Sequence, residues 1–432
     1  MTEKMRLAFK YKLRPAGKQE QAMRNFSGCC RFAYNALLAQ EKEEYQEYLE
    51  ELESRLCWGE ALSFEETKAL SVKPTLNQYT FNYALKKLKE EYPFLKEYCH
   101  SQVLQQKVMD LYEAFKKFFK GNRGYPKFKK RHSDDGFRYP QGFKADEDNG
   151  RVFLPKIGYV RYRNSRKIEG IPKNVTVREE ADGWYASIQC EFALNNQVTV
   201  PNLNTAVGID MGVKRFLTLS DGNFIESLET KLKPPENKIA LLQKRIKHKV
   251  KGSNNIKKAY LKLTLLHKRK ADIRNNFLHQ VSTLLVKNHD VIVIEDLKVR
   301  NMSKSAKGTI ANPGTKVKAK SGLNRSILNE AWHKFFTCLE YKLKLKGGIL
   351  IKVNPKHTSQ SCPQCGHISK DNRKEQEIFR CVKCGYEAHA DVNAAQNILK
   401  RAGLARMACQ ANLIRGRQQE PAEAYNNSSI VV

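Results

Sequence analysis

Four cysteines constrain the fold of this chain more than any other feature. Cys362 and Cys365 form one CxxC pair, and Cys381 and Cys384 form a second pair after 15 intervening residues. Zn²⁺ takes thiolate ligands in a tetrahedron, and a CxxC turn lets two sulfurs reach one ion. Because protein fills all four positions, the spacing predicts a structural zinc. Ribbons of this type serve many kinds of protein, so the zinc alone does not reveal a function.

The chain is strongly basic. Its 432 residues carry 77 Lys and Arg against 45 Asp and Glu, which gives a formal net charge of +32. Such an excess favours a polyanionic partner, because each phosphate contact releases counterions. Residues 231–274 are predicted to be helical and concentrate the charge, with 15 basic and two acidic side chains. We therefore expect nucleic-acid binding, and a merely high isoelectric point is the weaker alternative.

Nothing in the sequence indicates a membrane or a secreted setting. It has no apolar run of about 18 residues, and its first residues lack the apolar core of a signal peptide. Of the 11 cysteines, those outside the two pairs are scattered and form no disulfide framework. We therefore expect a cytoplasmic protein with no membrane partner.

Three acidic residues stand at the ends of predicted elements. Asp210 ends the apolar strand 206–210, Glu295 ends the strand 291–295, and Asp391 begins a helix. Carboxylates gathered at strand ends repel one another unless cations neutralise them. Mg²⁺ prefers oxygen ligands, and two ions about 3.5–4 Å apart can clamp a phosphodiester. The three acids therefore predict a magnesium-dependent hydrolytic site, although a lone acid at a strand end is more often a turn or cap residue.

No other side chain has a comparable setting for catalysis. The sequence lacks Gly-x-Ser-x-Gly and a Walker-type phosphate loop. His389 precedes Asp391 by two residues and is interpreted as structural or solvent-exposed. Asp296 should point to the opposite face of the strand from Glu295, so it is left out of the catalytic set.

Hydrophobic patterns organise the rest of the chain. Apolar and basic residues alternate from Met5 to Arg14, which predicts a strand, and strand patterns return between 125 and 200. Helical spacing fills 15–124, so we interpret this segment as an insertion into one β region.

Beyond residue 201 strands and helices alternate. Residues 301–325 are predicted to form a mobile basic loop, followed by one helix over 327–345 and a strand over 349–353. The polar tail beyond about 405 is expected to be poorly ordered.

Motifs along nearly the whole chain resemble those of the transposon-encoded TnpB family. They are, in order, Lys12-Leu-Arg-Pro-Ala-Gly-Lys-Gln-Glu-Gln, Cys30-Arg-Phe-Ala-Tyr-Asn, Tyr125-Pro-Lys-Phe-Lys, Gly208-Ile-Asp-Met-Gly-Val, Ile294-Glu-Asp-Leu, Thr358-Ser-Gln-Ser-Cys-Pro-Gln-Cys-Gly and Asp391-Val-Asn-Ala-Ala-Gln-Asn-Ile. Miniature type V CRISPR effectors are similar in plan, but the compact size favours TnpB.

The resemblance implies a multidomain α/β fold. An RNase H-like (RuvC) nuclease domain would occupy 201–355 and 386–405, with a zinc-ribbon insert for target nucleic acid at 356–385. A β-barrel-like wedge domain would occupy 1–14 and 125–200, and a helical recognition lobe 15–124. Residues 406–432 would be a disordered tail.

The resemblance also implies an RNA-guided DNA endonuclease of a transposable element. Asp210, Glu295 and Asp391 would hold two catalytic Mg²⁺ ions, beside the structural zinc on the four cysteines. The partners would be a noncoding guide RNA and double-stranded DNA with a short motif that licenses opening. The protein would act as a monomer or a homodimer, at the prokaryotic nucleoid through its DNA.

Three alternatives stay open at this point. The first is an RNA-guided DNA-binding regulator without nuclease activity. The second is a DNA transposase or its accessory protein, since carboxylate triads also serve transposases. The third, an inactive zinc-ribbon RNA-binding protein, leaves the three acids unexplained.

Overall fold

The computed structural model describes residues 4–57, 77–131, 135–193 and 201–403, which form two compact units divided after Asn196. The tail at 406–432, predicted to be poorly ordered, lies outside the described residues. No helix in the described ranges is long and apolar enough to cross a membrane.

The first unit contains a seven-stranded sheet in the order β2-β6-β7-β1-β5-β4-β3. Its strands are β1 (Lys4–Arg14), β2 (Gly136–Tyr139), β3 (Lys144–Asp146), β4 (Arg151–Leu154), β5 (Gly158–Tyr162), β6 (Ile171–Glu180) and β7 (Gly183–Ala193). Strand β1 runs antiparallel to β7 and then to β5. This pairing confirms that the first strand joins the later β region. Closure of the sheet into a barrel stays a prediction.

Between β1 and β2 the chain is helical. The helices are α1 (Gly17–Cys57), α2 (Gln78–Glu91), α3 (Phe94–Tyr98) and α4 (Ser101–Phe119). Apolar residues at helical spacing lie in one core with the buried face of the sheet, among them Phe26, Leu37, Leu104 and Leu111. The helical segment is therefore packed against the sheet into which it is inserted.

The second unit contains a five-stranded sheet in the order β10-β9-β8-β11-β12. Its strands are β8 (Val207–Met211), β9 (Arg215–Leu219), β10 (Phe224–Glu226), β11 (Val291–Glu295) and β12 (Ile349–Val353). Strands β8, β11 and β12 are parallel, and β9 and β10 form the antiparallel hairpin that the Asp221-Gly222 turn predicts. A separate pair, β13 (Ile378–Arg380) and β14 (Glu387–His389), lies in the cysteine-rich segment.

Six helices complete the described part of this unit. They are α5 (Glu229–Lys247), α6 (Asn254–Asn288), α7 (Val299–Met302), α8 (Val317–Glu330), α9 (Trp332–Lys346) and α10 (Ala390–Arg401). Helices α5 and α6 pack on each other as a basic hairpin, and they cover most of residues 231–274, which the sequence predicts to be helical. Every residue of β11 is buried, as expected for a central parallel strand.

Two predictions for the region after β11 were wrong. Residues 317–325, predicted as part of a mobile loop, are the first half of α8. Side-chain hydrogen bonds fix them, from Lys320 Nζ to the Met302 carbonyl at 2.6 Å and from Asn324 to the Ser303 carbonyl at 3.0 Å. The predicted single helix over 327–345 is two helices, because Ala331 has a left-handed backbone with φ 53°. The break allows buried residues on both helices to meet the core.

Helix α10 lies directly on β8 at Gly208. A Cβ on this glycine would come within 2.2 Å of the Ala395 carbonyl oxygen and 2.8 Å of the Leu399 nitrogen. Only glycine permits this approach, which sets the position of α10 above the sheet.

We expect Gly208→Ala to destabilise the second unit by roughly 3 kcal/mol, because the added methyl must displace helix backbone. Urea unfolding measures the change. Gly322→Ala is the matched control, since Gly322 is exposed in α8 with no heavy atom within 4 Å of a built Cβ. There the same substitution should stabilise by up to about 1 kcal/mol. Equal effects of the two substitutions would contradict the close packing of α10 on β8.

Candidate active site and metal centre

Two of the predicted catalytic acids are neighbours on adjacent strands. Asp210 lies in β8 and Glu295 ends β11, and the two strands are parallel with Ile209 opposite Ile294. Asp210 and Glu295 each follow one of these isoleucines. The two acids therefore lie side by side, where the two inner strands end. Sequence reasoning placed both at strand ends, and the register brings them together.

Asp391 joins them from above the sheet. It is the second residue of α10, one turn before Ala395, whose carbonyl touches Gly208. Burial and the charges of Glu295 and Asp391 together raise the pKa of Asp210 to about 8. The structure thus brings Glu295 and Asp391 within electrostatic reach of Asp210.

Glu295 is held by a hydroxyl from the cysteine-rich segment. The carboxylate is 8% exposed, and its Oε1 accepts a hydrogen bond from Thr358 Oγ1 at 2.5 Å. Burial raises the pKa of Glu295, while the Thr358 bond and the charge of Arg401 oppose that rise. Sequence reasoning quoted Thr358 only as part of a motif and gave it no role.

Asp391 has a cationic partner that sequence reasoning missed. Arg373 donates from Nη2 to Asp391 Oδ1 at 3.2 Å, and its charge also lowers the pKa of Asp210. No spacing rule marks an arginine between two CxxC pairs, so only the fold reveals it. His389 caps α10, because its Nδ1 accepts from the Asp391 backbone N–H at 3.2 Å and its Nε2 faces Arg215. The hydrogen bond from the Asp391 N–H gives His389 a structural role as a helix cap.

The three carboxylates suit a hard divalent cation. Oxygen donors are the ligands that Mg²⁺ takes, and a cation would relieve the repulsion that raises the pKa of Asp210. Among the described residues, only the four cysteines bring their ligand atoms within 4.8 Å of one another. The three acids, which lie in the same described ranges, are not drawn together as closely as the four sulfurs.

The four cysteines meet as their spacing predicts. The Sγ atoms of Cys362 and Cys384 are 3.6 Å apart, and those of Cys365 and Cys381 are 3.5 Å apart. Four thiolates about 2.3 Å from one Zn²⁺ would lie about 3.8 Å from each other, so the group fits a tetrahedral ion. Each pair is closed by a glycine with φ near 70°, Gly366 and Gly385. Both glycines donate a backbone hydrogen bond to the carbonyl of the first cysteine of their pair.

Three family models match this chain. The model described as "Helix-turn-helix domain" matches residues 1–50, "Probable transposase" matches 187–306, and "Cas12f1-like, TNB domain" matches 332–398. The second match includes Asp210 and Glu295, and the third includes the four cysteines and Asp391. The described part of the first match is strand β1 and a single helix, α1, with no turn between two helices.

InsQ of Escherichia coli (strain K12), which carries the name of an RNA-guided DNA endonuclease, is 45% identical to this chain over 421 residues. The match covers 96% of this chain and 97% of InsQ. The chain belongs to the TnpB family. Another relative of this TnpB-family protein, in Streptomyces pristinaespiralis, also carries the name of an RNA-guided DNA endonuclease. It is 32% identical over 437 residues, 100% of this chain and 96% of the relative.

A solved complex of Cas12f1 with its single guide RNA and target DNA is similar in chain path to this TnpB-family protein. The likeness covers 91% of this chain and 98% of that one, with 15% identity and a TM-score of 0.44. Such a distant likeness does not bear on function.

We expect Cys381→Ser to abolish zinc retention, because three thiolates and a hydroxyl bind Zn²⁺ far more weakly than four thiolates. Zinc released per chain on unfolding measures the effect, and the wild type should release about one ion. Cys338→Ser is the control, since Cys338 is buried in α9 outside the cluster. A full zinc ion in the Cys381→Ser protein would contradict the proposed ligand set.

The raised pKa of Asp210 predicts a pH-dependent stability when no divalent cation is added. Between the ordinary aspartate pKa of 3.8 and the folded value of about 8, the folded state keeps a proton that the unfolded state has lost. Stability should therefore fall as pH rises from 6 to 8, by at most about 1.4 kcal/mol per pH unit. Asp210→Asn should remove most of this slope in urea unfolding.

The exposed neighbour of Glu295 provides the control. Asp296→Asn should leave the pH slope as in the wild type, because Asp296 is exposed at the end of β11. Equal slopes for the Asp210→Asn and wild-type proteins would contradict the raised pKa of Asp210.

Proposed function

We propose that this TnpB-family protein is an RNA-guided DNA endonuclease of a transposable element. The observation that carries the proposal is the convergence of Asp210, Glu295 and Asp391 at one edge of a mixed sheet, in a chain of net charge +32. Three acids at this position can bind divalent cations, which in turn can hold a phosphodiester for hydrolysis. The names of the two full-length relatives support the same reading.

The strand order of the second unit supports a RuvC-like nuclease domain of RNase H type at 201–355 and 386–405. The sheet runs β10-β9-β8-β11-β12, with the acids on the two central strands and on the helix that covers them. We further assign the zinc-ribbon insert to 356–385, the wedge domain to 1–14 and 125–200, and the recognition lobe to 15–124.

The acids are assigned to two Mg²⁺ ions. Held by these acids, Mg²⁺ would supply activation of a water molecule and neutralisation of charge on the departing oxygen. The chain's own part is to hold three carboxylates in fixed positions. Glu295 is fixed by Thr358, and Asp391 by the start of α10 and by Arg373. The partial burial of the acids strengthens their attraction for cations.

The basic helices supply the electrostatic part of nucleic-acid binding. Residues 231–274, in α5 and α6, carry 15 cations and two acids, and both acids pair with lysines of the same hairpin. The remaining cations therefore have no acid in this segment to neutralise them. In an RNA-guided enzyme base pairing supplies specificity, so the protein needs charge that follows a phosphate backbone.

An RNA-guided regulator without nuclease activity is the second candidate. It would need a site that has lost an acid or its geometry, whereas all three acids are present and close. A transposase acting without RNA has no observation in its favour beyond the description of one family model. The proposed enzyme would work at the prokaryotic nucleoid, alone or as a homodimer.

RNA that co-purifies with the protein provides the direct test of guiding. We expect one abundant noncoding species, with a fixed scaffold and an end that matches the DNA flanking the element. Purified complex should cleave a matched duplex that carries the adjacent motif in the presence of Mg²⁺. Binding of that duplex without cleavage would favour the regulator, and strand joining without RNA would favour the transposase.

We expect Asp210→Ala to lower the cleavage rate at least 10³-fold and to leave guide and target binding within a few-fold of wild type, since it removes a metal ligand only. Single-turnover cleavage and binding assays measure the two effects. Asp296→Ala is the matched control, because Asp296 adjoins Glu295 on the exposed side, and it should cleave normally. Equal cleavage by the Asp210→Ala protein would overturn the site assignment.

A further inference from the structure

Thr358 makes a short contact with a predicted catalytic acid. Its hydroxyl lies 2.5 Å from Glu295 Oε1 and 3.1 Å from the Pro355 carbonyl oxygen. A hydroxyl has one hydrogen to donate, and the shorter contact, to the carboxylate, is the charge-assisted one. Thr358 is 4% exposed and Glu295 is 8% exposed, so water does not compete for this bond.

Helix α10 holds the backbone that presents this hydroxyl. Asn397 Nδ2 donates to the carbonyls of Thr358 at 2.9 Å and Ser361 at 2.7 Å, and Asn393 donates to Ser361 at 3.2 Å. Asn393 and Asn397 are one helical turn apart, and both are buried, with 0% and 5% of their surface exposed respectively. The helix that carries Asp391 therefore holds the segment that contacts Glu295.

The same segment leads into the zinc site. Ser361 directly precedes Cys362, the first zinc ligand, and its hydroxyl donates to the His357 carbonyl at 2.7 Å. Segment 358–361 therefore lies between the zinc cluster, helix α10 and the carboxylate of Glu295. None of these contacts is within the sheet, so the sheet does not by itself fix the Glu295 side chain.

We propose that Thr358 is a positioning residue for the nuclease site: its hydroxyl fixes the Glu295 carboxylate through Oε1 and leaves Oε2 to bind the metal. The inference rests on the proposed function. Glutamate has three side-chain torsions, and a ligand that is fixed in advance loses less conformational entropy when the metal binds. Partners that orient metal ligands in this way are typically worth 10–100-fold in metal affinity or activity.

A structural role alone would have a different signature. If the hydroxyl only satisfied a buried acid, its loss would lower stability and leave the Mg²⁺ requirement unchanged. If it positions the acid, its loss raises the Mg²⁺ concentration needed and lowers kcat, while target affinity stays the same. Mg²⁺ dependence therefore separates the two roles.

Thr358→Val tests the inference because valine keeps the shape and removes the hydroxyl. The first readout is the rise of the melting temperature with Mg²⁺ alone, without nucleic acid, which reports binding to the folded chain. We expect the midpoint Mg²⁺ concentration to increase 10–100-fold and kcat for a matched duplex to fall by a similar factor. Thr358→Ser keeps the hydroxyl and should stay within about threefold of wild type.

Two further variants sharpen the result. Thr337→Val is the matched control, because Thr337 is exposed in α9 and its hydroxyl bonds only the His333 carbonyl of its own helix. It should change neither readout. In a Glu295→Gln background, Thr358→Val should cost no further Mg²⁺ affinity, since the two side chains act as one unit.

The inference is overturned if Thr358→Val keeps the wild-type Mg²⁺ midpoint, or if the wild type shows no stabilisation by Mg²⁺. If Thr358→Val does not fold, Thr358→Ser decides: a wild-type midpoint supports the role of the hydroxyl, and a shifted midpoint overturns it. A wild type that binds Mg²⁺ and cleaves no matched duplex refutes the proposed function, and the binding readout still tests Thr358.

Discussion

Electrostatic repulsion between three neighbouring acids, of which Glu295 is the most buried, is the constraint on which the second unit depends. Asp210 has a pKa near 8 because it is buried close to two other carboxylates. A flexible chain would relieve this by letting the acids separate. Parallel pairing of β8 with β11 prevents that for two acids, and the contact of α10 with Gly208 prevents it for Asp391. The stability of sheet and helix therefore offsets a repulsion that persists until a cation binds.

The cysteine-rich segment belongs to this constraint, although a zinc ion held by its four sulfurs would perform no chemistry. It contributes one contact to each of two acids: Thr358, before the first CxxC pair, bonds Glu295, and Arg373, between the pairs, bonds Asp391. A short segment with a two-stranded sheet of three residues per strand has little core of its own. A zinc ion would supply the folding free energy that such a segment lacks. The zinc would then stabilise the site from outside it.

Features that depend on local chemistry could be predicted from the sequence, and those that depend on tertiary contacts could not. Cys362 and its partners follow a spacing rule, and Asp210 ends an apolar strand, so both were found. The contacts of Arg373 and Thr358 with acids far along the chain follow no local rule. The break at Ala331 has no glycine or proline to mark it, and α8 was missed because its stabilising bonds go to residues 302–304. The domain boundaries and metal ions stay predictions.

The basic hairpin of α5 and α6 carries positive charge in the same unit that contains the three acids. Its exposed leucines, Leu241, Leu261 and Leu265, lie among cations that outnumber the acids of residues 231–274 by 15 to two. Such a surface repels itself in water and gains free energy when a phosphate backbone replaces the counterions. The affinity of this surface for a phosphate backbone should therefore fall steeply with salt, whereas the partly buried carboxylates are screened less. The proposed binding and cleavage would thus rest on separate groups of charges of opposite sign within one unit.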